Sequence, residues 1–388
     1  MTDRTDGGDL PLDGYRVLDL GQYIAAPGAA AVLGELGADV VKIEPPLGDQ
    51  ARHVGPTGEA MIRAYNAGKS SVVLDLRQPD DRERLLELIA EADVLVANSR
   101  PGSLERLGLG VDECLEANPR LVYARISGFG YEGPLAVRPG LDIAAQAESG
   151  MMSINGSPET EPMRVGFTVV DACAAEVLAQ GILAALLRAG RTGRGGVVET
   201  SLLEVAVRMQ AVLWEEHFAS GAVPTRTGNG QPSMAPAAEV IAVQDGHIVL
   251  SAYADSHWRR LCALMERPDL VEDPRFVDNA SRVRNRADLR QELADAFAQE
   301  SGDALVERLT GEGIVAGVIR DVAQALATVE PSYPGLVRRH PDTGTAQLGL
   351  AYRIDGDRLA EFREVPGAGG ANGSDSPWSG TTPVRTEG

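Results

Sequence analysis

The chain has 388 residues, a length for two or three domains whose cores need no covalent staples. With 36 Lys+Arg against 56 Asp+Glu its formal net charge is −20. So acidic a surface excludes a general nucleic-acid or membrane-surface binder, but leaves room for a local basic pocket around a small phosphorylated ligand. Three widely spaced cysteines (Cys114, Cys173, Cys262) and five scattered histidines (His53, His217, His247, His257, His340) exclude a disulfide framework and a zinc site. They predict no metal and a reducing, cytoplasmic setting. No run of about 18 apolar residues stands out, so no bilayer span is expected. The acidic first ten residues lack the apolar core of a signal peptide.

Residues 1–10 are polar and expected to be disordered. From residue 15 short apolar runs alternate with helical patterns. YRVLDL (15–20) predicts a strand, followed by a helix that Pro27 opens and Gly37 ends. DVVKI (39–43), SVVLDL (71–76), the run 94–97 and LVYARIS (121–127) predict four more strands. Leucines at helical spacing predict a helix over 81–91, and another begins near 104–107. Short buried strands alternating with helices argue a parallel sheet covered on both faces.

Past Gly128 the chain becomes Gly/Pro-rich and predicts a long surface loop. An apolar run over 165–170 reads as strand-like and leads into an Ala/Leu-rich helix over 171–189. A strand over 197–200 and a helix over 201–219 follow, then a Gly/Pro/Thr/Asn-rich linker. Asp245-Gly246 predicts the turn of a hairpin over 237–252. Helical periodicity runs from His257 to about Gly311, and GIVAGVIRDV (313–322) predicts a strand or strand pair. The expected organisation is a large domain over 11–220, a linker over 221–236, a smaller α+β domain over 237–330 and a return segment over 331–366. A mobile Gly/Ser/Pro/Thr-rich tail over 367–388 completes it.

The chain has neither GxGxxG nor GxxxxGK[ST], so ordinary dinucleotide or P-loop binding is not expected. Asp171 precedes the Ala-rich helix. It reads either as that helix's N-cap or as a nucleophile or base, and the roles are compatible. A helix N-terminus is expected to lower its pKa and keep it ionised. Asp142 reads as another helix cap. Lys69, Arg77, Arg100, Arg106 and Arg125 lie near strand ends or turns and are the candidates to hold an anionic ligand there. Residues 227–231 (TGNGQ) read either as linker or as a loop that closes over a site.

Six ordered motifs carry a resemblance: PLDGYRVLDL, AAPGAAAVLGELGADVVKIEPPLGD, NAGKSSVVLDLR, ADVLVANSRPGSLERLGLG, NPRLVYARISGFG and RTGRGGVVETSLLEV. Over about residues 12–352 the chain resembles the family III CoA-transferases, the CaiB/BaiF family. The resemblance implies an α/β fold with a Rossmann-like large domain, its parallel sheet built from both chain ends, a smaller α+β middle domain, and an interlocked homodimer. It implies acyl-CoA and a carboxylic acid as substrates, with no tightly bound cofactor, nucleic acid or membrane partner.

The family's catalytic aspartate matches Asp171. In these enzymes the carboxylate forms first a mixed anhydride with the acyl group, then an aspartyl-CoA thioester. CoA contacts carry over to Ile24, Ala25, Leu74, Asp75, Leu76, Arg77, Asn98, Ser99, Arg100, Arg106, Ser127, Gly128, Phe129 and Gly130. Where formyl-CoA transferase has a glutamine this chain has Ile24, which argues against oxalate or formate, and the small apolar residues Ile24, Ala25 and Ala26 are compatible with a medium-sized dicarboxylate or branched acid. That enzyme's glycine-rich lid is reduced here to Gly228-Asn229-Gly230, before Gln231. The related α-methylacyl-CoA racemases pair a histidine with an aspartate. The matching triplet here is Gly140-Leu141-Asp142, and leucine carries no proton, so transfer is favoured over racemisation. A non-catalytic subunit of a heteromer is the remaining alternative.

Overall fold

The computed structural model describes residues 10–230, 237–358, 361–374 and 376–378. The chain divides into two units, one comprising residues up to 151, 165–219 and 332 onward, the other 152–164 and 220–331.

In the larger unit, six strands β1 (Arg16–Asp19), β2 (Asp39–Glu44), β3 (Ser70–Val73), β4 (Val94–Ala97), β5 (Val122–Ser127) and β6 (Gly196–Ser201) form one sheet in the order 3-2-1-4-5-6. All neighbours are parallel. Helices α1 (Ala25–Glu35), α2 (Gly55–Asn66), α3 (Pro79–Glu91), α4 (Val111–Ala117) and α5 (Asp142–Glu148) connect and follow the strands, and the short α6 (Met151–Ile154) begins at the last residue of this stretch and runs into the smaller unit. They are succeeded by α7 (Val169–Thr192), α8 (Leu202–Met209) and α9 (Ala211–Ser220).

The central strands carry apolar residues on both faces because both faces are covered. Val17, Val40, Val94, Val96, Val122 and Ala124 enter a core with α1, α7 and α8. Leu18, Val41, Leu95 and Tyr123 enter a second core with α3 and α4. In the first core Gly28 lets α1 approach α7 closely, since a Cβ there would lie 2.7 Å from the Ala175 Cβ. Ser201 caps α8, its Oγ accepting from Glu204 N and donating to Glu204 Oε2.

The carboxyl ends of the central strands rest on buried charge. Asp19 is fully buried, with Lys69 Nζ 2.7 Å and Lys42 Nζ 3.6 Å away. Burial would raise the Asp19 carboxyl, but the two lysines outweigh it and hold it below the ordinary range. Burial likewise pushes Lys69 down to about 8 against the pull of Asp19. Lys42 also pairs with Asp49 at 2.9 Å. Lys69 further donates to the Pro27 carbonyl and Asn66 Oδ1.

The smaller unit holds an antiparallel sheet of β7 (Ala237–Val243), β8 (Gly246–Ala252) and β9 (Val315–Val318), in that order. Its helices are α10 (Asp255–Leu264), α11 (Asn279–Arg284), α12 (Arg286–Phe297), α13 (Gly302–Gly311) and α14 (Val322–Ser332). Trp258, Phe276, Phe297 and leucines of α12 and α13 fill its core.

Several expectations are corrected. The six-stranded sheet comes wholly from residues 16–201, not from both chain ends. The return segment instead adds a separate antiparallel pair, β10 (Val337–Arg339) and β11 (Ala346–Leu348). Residues 152–164, expected in the large domain, belong to the smaller unit, where Gly228 N donates to Gly156 O and Arg226 Nε to Ser157 O. The run 165–170 is not a strand, because α7 already begins at Val169. The expected helix over 201–219 is broken into α8 and α9.

The described part of the tail is docked rather than mobile. Ala371 N bonds Ser71 O, Asn372 Oδ1 accepts from Val73 N, and Trp378 is buried in the second core under the Arg16 guanidinium. Residues 1–9, 231–236 and 379–388 lie outside the described residues. Helix α7, contrary to expectation, is long and apolar enough to cross a bilayer by length and composition. Val170, Ala174, Leu178 and Ile182 nevertheless pack in the core, so the helix is apolar because it is interior.

Replacing Lys69 with Met leaves Asp19 buried with half its compensation, which should cost about 3–5 kcal/mol. Urea unfolding should register that loss, and Asp19→Asn/Lys69→Met should recover most of it.

Candidate active site

The strand order reverses between β1 and β4, and such a switch point opens a crevice at the carboxyl ends of the strands. Here the two edges of the crevice are clasped. Asn98, just past β4, accepts from Gln22 N at 2.9 Å and donates to Gln22 O at 2.8 Å. Lys42 donates to Gly21 O, and Asp19 accepts from Gly21 N. Tyr23 is held at φ 65°, an unusual conformation for a non-glycine residue, by bonds from its N–H to Asp49 and its hydroxyl to Gln50.

A cavity of about 490 Å³ opens beside this turn. Leu20 and Gln22, Ile43–Gly48, Gln50, His53, Leu74–Arg77, Ser99, Ser103, Leu104 and Leu107 line it, so its walls are the end of β2 and the segments that follow β1 to β4. Its size suits a nucleotide-like group. Arg100 and Arg106 sit on the loop after β4 and pair with no carboxylate among the described residues. Neither lines the cavity itself, though Arg106 donates to Ser103 Oγ, which does.

The other basic candidates are committed elsewhere. Arg77 is locked on Asp75 by two 2.8 Å bonds, which push the Asp75 carboxyl down to about 2. Arg125 pairs with Glu105 and Glu199 and covers the Tyr131 ring. Lys69 is spent on Asp19 and is not available to a ligand. Ile24 and Ala25 are buried at 4% exposure each, so the turn presents backbone rather than these side chains.

Ser127, Gly128, Phe129 and Gly130 form a tight turn at the end of β5. Ser127 Oγ accepts from Gly130 N and donates to Gly130 O, both at 2.9 Å. A Cβ on Gly128 would lie 2.4 Å from the Gly140 Cα, so only glycine lets the two chains touch here. That contact sets the turn directly before Asp142 against the end of β5.

Asp171 stands in the first turn of α7, three residues after the N-cap Thr168. It is not the cap, and Asp142 caps a helix other than its own. Asp142 Oδ2 accepts from Val170 N at 2.8 Å and Asp171 N at 3.3 Å. The expected lowering of the Asp171 pKa is therefore reversed. Burial and the adjacent Asp142 carboxylate push it up to about 7. The N–H groups of α7 that would have stabilised its charge are taken by Asp142.

Sequence reasoning missed Tyr65, Glu176 and Gln146. Burial raises the Tyr65 phenol, with Asp171 and Glu176 adding to the effect, so α2 brings a phenol within electrostatic reach of the carboxylate. Gln146 donates to Asp142 Oδ1 at 2.5 Å. Leu141 is 65% exposed and offers no proton carrier.

A second cavity of about 620 Å³ lies along α1, α2 and α7, with Glu35, Tyr65, Glu176 and Tyr352 in its walls. Asp171 lines neither cavity. The loop Gly228-Asn229-Gly230 lies in the smaller unit, where Arg286 donates to Thr227 O at 2.8 Å. Gln231 lies outside the described residues. Among the described residues no group of three or more His, Cys, Asp or Glu side chains is placed to hold a metal.

Residues 12–372 match CoA-transferase family III. The chain is 38% identical over 339 residues to a probable fatty acyl-CoA transferase of Mycobacterium tuberculosis, covering 82% of this chain and 84% of the relative. It is 40% identical over 312 residues to the succinyl-CoA:mesaconate CoA-transferase of Haloarcula hispanica, covering 77% and 78%. A CaiB/BaiF family protein from Brucella suis superposes with a TM-score of 0.85 at 33% identity, covering 93% of this chain and 97% of that one.

A carboxyl that titrates near 7 in the fold but near 3.8 when unfolded favours folding fully below pH 3.8 and loses that contribution as pH rises through 7. The stability of Asp171→Asn relative to the native chain should therefore widen between pH 5 and pH 7 and level off above. The widening should be about 2 kcal/mol. Urea unfolding at pH 5, 7 and 8.5 measures it, and a gap that narrows with pH would contradict the assigned burial.

Proposed function

The chain belongs to CoA-transferase family III and is an enzyme of CoA transfer, and from that premise we propose that it moves CoA from an acyl-CoA to a carboxylic acid through covalent attachment to Asp171. The Asp171 carboxylate attacks the thioester carbonyl. A C–O bond forms, the C–S bond breaks, and CoA leaves as its thiolate. The thiolate attacks the aspartyl carbonyl of the mixed anhydride, releasing the donor acid and leaving aspartyl-CoA. The acceptor carboxylate attacks that thioester and displaces CoA again. The thiolate then takes the acceptor's acyl group and frees Asp171. One thioester is exchanged for another, so the cycle needs no ATP.

The observation that carries this reading is Asp171 itself, whose carboxyl is pushed up to about 7 in the first turn of α7. Such a carboxylate is more basic than an ordinary one, yet about half ionised at neutral pH. The switch-point cavity supports a nucleotide end for the substrate, and Arg100 and Arg106, on the same loop as its lining residues Ser99 and Ser103, are the proposed phosphate contacts. Succinyl-CoA is the first donor to test, as it is in the name of the Haloarcula relative. A dicarboxylate or branched acid is the acceptor class to test, mesaconate being in the name of that same relative.

The active form is proposed to be an interlocked homodimer. Helix α9 buries none of its residues, leaving Val212 75% and Phe218 67% exposed. On α7 Leu187 is 72% exposed. Apolar side chains left bare in this number support a partner surface. Light scattering at micromolar concentration should give twice the chain mass, and a monomer would sink the assignment.

Asp171→Asn and Asp171→Ala should lose transfer by more than a thousandfold while binding CoA almost normally. Native enzyme treated with acyl-CoA and hydroxylamine should carry a hydroxamate on the Asp171 peptide, read by mass spectrometry. Transfer by Asp171→Asn within about tenfold of native leaves at most about 1.4 kcal/mol of barrier to the carboxylate, too little for a nucleophile.

A further inference from the structure

We infer that Asp142, oriented by Gln146, is a positioning residue that occupies the amino end of α7 so that the Asp171 carboxylate cannot fold back onto it. The inference rests on the reading of Asp171 as nucleophile. An acidic residue at the third position of a helix commonly turns back to bond the free N–H groups of the first turn. Asp171 stands at that position. The N-cap Thr168 makes no side-chain cap bond. The vacant acceptor role is filled from another helix, by Asp142 Oδ2 on Val170 N and Asp171 N.

Asp142 is itself held from behind. Gln146, fully buried, donates to Asp142 Oδ1 at 2.5 Å and accepts from Val165 N at 2.9 Å. One amide thus spans the carboxylate and the chain entering α7, and both ends of the segment 165–171 are fixed by side chains of α5. The groups in electrostatic reach of Asp171 are the Asp142 carboxylate from α5 and the Tyr65 phenol from α2. Of these Asp142 is the one bonded to the Asp171 backbone, so its charge and its geometry act at the same place.

A cap with no other role would change stability alone. The positioning role is separated from it by pH profile and by rescue. Asp142→Asn removes the like charge and mismatches Gln146, because an asparagine whose oxygen stays on the α7 N–H groups turns its NH2 onto Gln146 Nε2, and flipping Gln146 would set that nitrogen against Val165 N. The acid limb of the kcat/KM profile for succinyl-CoA should move down by at least half a pH unit. At its optimum kcat should fall tenfold or more, with KM changed less than threefold. Gln146→Met leaves the Asp142 charge in place and should lower kcat without moving the limb. Asp142→Asn/Gln146→Glu restores every hydrogen bond of the clamp and should recover most of kcat.

Carbon-13 NMR titration of the Asp171 carboxyl gives the same answer without turnover, assigned by its disappearance in Asp171→Asn. A lower midpoint in Asp142→Asn is the expected result. An unmoved midpoint and limb, with Asp171→Asn inactive, overturns the positioning role and leaves Asp142 a structural cap. Full transfer by Asp171→Asn overturns the nucleophile reading instead, whatever the titration shows.

Discussion

A single carboxylate, Asp19, buried at the end of the first strand, is the constraint on which the site side of the larger unit depends. A charge without water must find partners of opposite sign. Its partners come from β2 (Lys42) and from the residue before β3 (Lys69). The demand propagates. Lys42 holds Asp49, Asp49 N bonds Glu44, and Glu44 takes Arg52 and Ser71. Ser71 Oγ accepts from Gly369 N, so even the carboxyl-terminal segment is tied to the same chain of charges. The loops after β1 and β2 are thereby fixed before any ligand arrives, which is the condition for a preorganised cavity at the switch point.

A second carboxylate pair decides the chemistry. Asp142 and Asp171 meet at one helix end, but they do not share it. The former collects the N–H groups, and the latter is left buried beside a like charge and pushed up to about 7. Two acids made unlike by their surroundings are a recurrent way of dividing roles between chemically identical groups. The Gly128–Gly140 contact connects this pair to the turn at the end of β5, so the candidate CoA loop and the candidate nucleophile are positioned through backbone rather than through flexible side chains.

The sequence by itself determined the layered sheet. A strand buried on both faces carries apolar residues at consecutive positions, and the VV of 40–41, VLVA (94–97) and the VYA of 122–124 show that signature whatever surrounds them. It also determined the Asp245-Gly246 hairpin, the Ala-rich α7 and the acid at its start, all of which rest on local backbone preference. Local preference also explains the misses. Helix α2 begins at Gly55-Pro56 with Gly58 in its first turn, a composition that reads as loop. Lys69 and Arg125 look like ligand-binding cations because nothing near them in sequence reveals that their carboxylates lie 50 and 74 residues away. The tail's small residues hide that Trp378 has a core to enter. Only the tertiary structure could decide that Asp142 caps a helix 28 residues further on, and that Asp171 is consequently raised rather than lowered. A pKa is set by burial and by the charges that folding brings near, and neither is a property of the residue's neighbours along the chain.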